Sequence, residues 1–194
     1  MKKIILITSI LSIFFSNAFS QSCPAGDLSF SRQSEIDAFV ITYPGCSTIK
    51  GNLTIISGTD ILSLKPLSSI TKITGNLWIN SNAPLNSLYG LHNLVSAGGY
   101  VEITNNDLLE SLKYLSSLTT IGGHLRIDEN HLLKNFDGLQ NLKTIGTDLR
   151  IMWNQNLTNI SALNGIQKIP GNLVIDNNNM LKNLEGFKIL SGCF

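Results

Sequence analysis

The chain has 194 residues, 43% of them hydrophobic and 14% charged, with a formal net charge of +1 at neutral pH. That near-balance gives no basic footprint for nucleic acid, and the length suits one sizeable domain.

The chain opens on Met1-Lys2-Lys3, an apolar run IILITSILSIFF and the small-residue stretch SNAFS. These are the three regions of a secretory signal peptide, expected over residues 1–20 with cleavage after Ser20. The competing reading is a membrane anchor, but an apolar core of about twelve residues falls short of the roughly 20 that span a bilayer. A lipoprotein with Cys23 at the new terminus is a third reading, which Ser20-Gln21-Ser22 does not suit because it lacks a small, aliphatic lead-in. Loss of Lys2 and Lys3 with the leader brings the mature chain near −1. No later apolar run reaches membrane-spanning length, so the protein is expected to be secreted or held at the cell surface.

Residues 21–48 stand outside the pattern that follows and are expected to form a cap, because the end of a repeat array exposes its core and a sheet edge. Leu28 and Phe30 alternate as in a short strand. Ser31 is placed to cap a helix running to about Ile41, with Ile36, Phe39 and Val40 as its apolar stripe, before Tyr43-Pro44-Gly45 turns the chain. Cys23 and Cys46 bracket the segment. In an oxidising compartment their disulfide would close a loop worth roughly 3 kcal/mol in the chain-entropy model; two free buried thiols are the alternative.

From residue 49 the chain repeats every 24 residues, with copies opening at Ile49, Ile73, Ala97, Ile121, Ile145 and Ile169. Count the opening residue as offset zero. Offset four (Leu53, Leu77, Val101, Leu125, Leu149, Leu173) and offset six (Ile55, Ile79, Ile103, Ile127, Ile151, Ile175) are apolar with one variable residue between them. That is the period of a short strand with one buried face. Apolar columns then recur at offsets 12, 15, 18 and 21, a constant step of three that suits an inward-turning coil better than an amphipathic helix. Offset two is Gly51, Gly75, Gly99, Gly123 and Gly171, interrupted by Thr147, implying a positive φ or a close backbone approach. Offset nine is Asn82, Asn106, Asn130, Asn154 and Asn178, with Gly58 in the first copy; side chains there can bond the backbone of successive turns as a buried ladder. One copy alone cannot offset the entropy of ordering it, so the copies must stack. The expected fold is mainly β: a solenoid of six 24-residue rungs over 49–194 with a parallel sheet, and a short α-containing cap.

Cys193 is the odd cysteine, in SGCF at the end of the sixth copy, and is a candidate for pairing with another chain. No hydrolase, zinc-protease or P-loop motif occurs, and no two cysteines lie two apart. His92, His124 and His131 occupy different offsets, and Asp128-Glu129 and Asp176 read as solvated turns. No cofactor, metal site or catalytic set is expected.

Recognition residues are expected on the outward side of the strands, at offsets three, five and seven. Equal offsets in a parallel stack lie about 4.8 Å apart. Trp78 and Tyr100 are therefore expected close together, beside Glu102, His124, Arg126 and Arg150, with Trp153 at the strand exit. Exposed aromatics and arginines are what interfaces favour; the alternative is a solvated face whose charges merely neutralise one another.

The columns I-x-G-x-L-x-I-x-x-N-x-x-L-x-x-L-x-x-L-x-x-L, over residues 47–192, resemble the receptor L-domain family, relatives of leucine-rich repeats known from receptor ectodomains and secreted bacterial surface proteins. The resemblance implies a right-handed β-solenoid, and it likens the segment between Cys23 and Cys46 to the cap of bacterial members. Ala97, Gly58, Thr147 and the lack of an evident C-terminal cap depart from it. The function expected is a non-catalytic recognition or adhesion module for a protein or glycan; the alternative is a structural spacer within a larger adhesin. A glycan-active β-helix would need clustered carboxylates, and Asp128 and Asp176 stand two copies apart.

Overall fold

The computed structural model describes residues 22–187, so the expected signal peptide and Cys193 lie outside the described residues. Alternating burial at offsets four and six makes one strand per copy: β3 (Leu53–Ile56), β5 (Leu77–Asn80), β7 (Val101–Thr104), β9 (Leu125–Asp128), β11 (Leu149–Met152) and β12 (Leu173–Asp176). With β1 (Leu28–Phe30) at one edge they form a seven-stranded parallel sheet in sequence order. Leu53, Leu77, Val101, Leu125, Leu149 and Leu173 pair in one register, so equal offsets lie side by side.

The opening residues of the copies build a second, five-stranded parallel sheet from β2 (Thr48–Ile49), β4 (Lys72–Ile73), β6 (Ser96–Ala97), β8 (Thr120–Ile121) and β10 (Thr144–Ile145). Between the sheets the step-of-three columns turn inward; Leu85, Leu88, Leu91 and Leu94, for example, are fully buried. The sixth copy departs: Leu173, Ile175 and Leu181 are half-buried and Leu184 is 46% exposed, because β12 has a strand on one side only among the described residues.

Helix α1 (Gln33–Thr42) follows β1, and two expectations for it are corrected. Its N-cap is Arg32, not Ser31: the Glu35 carboxylate, one turn in, accepts the N–H groups of Ser31 (2.7 Å) and Arg32 (3.1 Å). Val40 is 44% exposed; only Ile36 and Phe39 are buried, Phe39 against the edge of Phe30. Gln33 Oε1 accepts the N–H groups of Leu62 and Ser63 at 2.9 Å each, tying the helix to the first turn. Cys23 and Cys46 form a disulfide.

The glycine column answers to close approach, not to positive φ. A methyl at Gly99 would lie 1.9 Å from Asn76 Oδ1, and one at Gly171 would lie 2.2 Å from Asp148 Oδ1. Positive φ falls instead at offset eight, on Ser57, Ser81, Asn105, Glu129, Trp153 and Asn177, all between 53° and 60°. Directly after it, each asparagine of offset nine bonds across turns. Asn130, fully buried, donates to Ile103 O (2.8 Å) and accepts the Asn106 N–H (3.2 Å); Asn82, Asn106, Asn154 and Asn178 repeat the donation to the preceding strand of the long sheet.

Candidate recognition surface

The outward side of the long sheet carries a second polar ladder, at offset three. Asp27 Oδ1 accepts the Asn52 N–H (2.8 Å), Asn52 Oδ1 that of Asn76 (2.8 Å), and Asn76 Oδ1 that of Tyr100 (2.9 Å). It resumes where Asp148 Oδ1 accepts the Asn172 N–H at 2.8 Å. Between those stretches stand Tyr100 and His124, which have no carboxamide to offer. Their rings stack, centroids 4.9 Å apart and 11° from parallel.

His124 Nε2 lies 2.8 Å from Glu102 Oε1. Burial pushes the Tyr100 hydroxyl up, and the Glu102 charge adds to it. Arg126 Nε donates to Asp128 Oδ2, and that bond pushes the guanidinium up against the opposing effect of burial. Arg150 Nη2 donates to Asp148 Oδ2 at 3.0 Å. The Asp148 carboxyl is held below the usual carboxylate range, chiefly by the Asn172 N–H and further by Arg150 and His124.

Not all of the expected surface assembles. Tyr100 stacks on His124, not on Trp78: both ring-bearing residues of the pair sit at offset three, whereas Trp78, at offset five, faces Thr54 and Glu102 in register. Trp153 is 46% exposed but lies beyond β11, off the sheet proper. Thr104 and Asp128, at offset seven, are buried and not outward-exposed. Their side chains are used sideways between strands: Thr104 Oγ1 donates to Asn80 Oδ1 (2.7 Å), and Asp128 Oδ1 accepts the Met152 N–H (2.9 Å).

The sequence did hold signals for two columns it was not read for. Asn52, Asn76, Asp148 and Asn172 spell the outward ladder, and offset fourteen runs Ser63, Ser87, Ser111, Asn135, Asn159 and Asn183. Each of the latter accepts the N–H two residues on, a turn-stabilising role. Among the described residues, no three His, Cys, Asp or Glu side chains converge as metal ligands, and no helix is long and apolar enough to cross a membrane.

The sequence model for the receptor L domain matches residues 45–99 and 96–184, which takes in every paired strand of the long sheet except β1. The chain belongs to the receptor L domain family. No curated protein and no solved structure matches it. Receptor L domains are a ligand-binding, non-catalytic type, and the Cys23–Cys46 disulfide accords with an extracellular or surface module.

Proposed function

We propose that this receptor L domain is a secreted or cell-surface recognition module of the bacterial surface-protein kind, entering the secretory route through residues 1–20 and coiling as six right-handed turns. A protein partner docks on the outward face of the long sheet, over Trp78, Tyr100, Glu102, His124, Arg126 and Arg150, with Trp153 at the rim. One observation carries the reading: the offset-three ladder is given up only at Tyr100 and His124. A ladder bond is worth roughly 0.5–1.5 kcal/mol, and a spacer would have no reason to forgo it for a stacked, half-buried aromatic pair.

The test is capture of a partner from extracellular fluid by the chain without residues 1–20, compared with Trp78→Ala/Tyr100→Ala and with Lys72→Ala/Lys143→Ala away from the long sheet. The partner should bind the wild type and the lysine variant alike, and the aromatic variant at least about tenfold more weakly. Equal capture by all three would reject the face. Capture of nothing by the wild type would favour the spacer.

A further inference from the structure

Asp128 is the only charged side chain that is fully buried among the described residues. A carboxylate taken out of water is costly unless paired, and the fold does not ask for one here: the equivalent positions hold Ile56, Asn80, Thr104, Met152 and Asp176. Its Oδ1 accepts the Met152 N–H at 2.9 Å, a bond that an amide oxygen would also make. Its Oδ2 accepts Arg126 Nε, and that partner makes use of the charge.

The result is a guanidinium aimed from behind. Glu102 is the register partner of Arg126 in the adjoining strand, the natural place for a cross-strand ion pair. Its carboxylate turns instead to His124, at 2.8 Å. Arg126 therefore keeps its two terminal nitrogens unengaged by any side chain or backbone group among the described residues, with the side chain 36% exposed. Arg150, its register partner on the other side, is likewise bonded through a single nitrogen, to Asp148. Both carboxylates have each oxygen occupied, by a backbone N–H and an arginine, whereas the guanidiniums retain most of their donors. Two neighbouring guanidiniums with surplus donors suit an acceptor-only group.

We propose that Arg126 is the anchor for an acidic side chain of the docked protein, gripped end-on by its two terminal nitrogens, and that Asp128 is the positioning residue that holds the guanidinium ready. The fixed fork lowers the ordering cost of binding and meets a carboxylate with two parallel bonds. The stacked rings of Tyr100 and His124 supply the apolar ground beside it. The inference rests on the docking face proposed above.

The sign of one substitution separates positioning from bulk charge. Asp128→Asn removes a negative charge beside a site for a negative ligand, so Coulomb attraction alone would tighten binding; loss of positioning weakens it. The probe is a terminally blocked hexaglutamate peptide with hexaglutamine as control, titrated while the Nε–H signals of the three arginines, Arg32, Arg126 and Arg150, are followed by NMR. Hexaglutamate should shift Arg126 saturably and hexaglutamine should not. Asp128→Asn should weaken that binding about tenfold. So, by calorimetric titration of the same peptide, should Arg126→Lys, which leaves a cation against Asp128 to keep the fold but has no fork.

An unmoved Arg126 signal, or binding by Asp128→Asn as tight as or tighter than wild type, overturns the proposal. If partner capture is lost in Trp78→Ala/Tyr100→Ala while hexaglutamate leaves Arg126 unmoved, the acidic anchor fails and the docking face stands. Capture unchanged by that double variant defeats the face, and the anchor with it.

Discussion

Asp148 sits where the outward polar column resumes after its aromatic break, and its environment gives it a measurable pH signature. The Asn172 N–H, with Arg150 and His124 nearby, holds its carboxyl below the ordinary range. A carboxyl lowered on folding stabilises the fold at pH values above its unfolded pKa, and that contribution is lost as pH falls through the folded one. The urea midpoint of the wild type should therefore drop below about pH 4. Asp148→Asn keeps an oxygen for the Asn172 N–H but cannot ionise, so its midpoint should fall less steeply; parallel curves would contradict the assignment. At this scale legibility divides by repetition. The inward leucines and isoleucines could be read from the sequence because one geometric demand recurs in every copy. The Tyr100–His124 stack and the buried Asp128 could not, because each occurs once and depends on which way a neighbour turns: Glu102 chose His124 over its register partner Arg126.

Among elements, the strands and coils followed from period, whereas the helix start did not, because Glu35 reaching back outweighed the better-known capping residue Ser31. The two side-chain ladders bind the strands into a stack, and the inner one is the more consequential because it is dry. Asn130→Ala would leave the Asn106 N–H without its partner in the buried interior and remove the side-chain bond to the Ile103 carbonyl. An unsatisfied buried group costs roughly 1–3 kcal/mol, so a loss of about that size is expected, read as a lower urea midpoint. Asn178→Ala should cost less, since that asparagine is half-buried and water can replace what it gives. Equal midpoints for the two variants would mean that burial does not set the strength of the ladder.

Over the whole molecule, each turn of the long sheet touches only the turn before and the turn after, so stability should vary along the stack as it does in repeat proteins. β5, β7 and β9 are flanked on both sides and their inward residues are fully buried, whereas among the described residues β12 pairs with β11 alone over a half-buried core. The other edge strand, β1, also has one strand neighbour, but α1 and the Cys23–Cys46 disulfide tie its segment down. Amide hydrogen exchange should thus be slowest in β5, β7 and β9, faster in β1 and fastest in β12, and reduction of the disulfide should speed β1 while leaving β7 unchanged. This gradient bears on recognition, because Tyr100, Glu102, His124, Arg126 and Asp128 all lie on or beside β7 and β9. An aimed guanidinium lowers the cost of binding only if the strand beneath it stays shut. Exchange from β12 as slow as from β7 would mean that the stack opens as one unit, and the middle strands would then hold the face no more firmly than the end would.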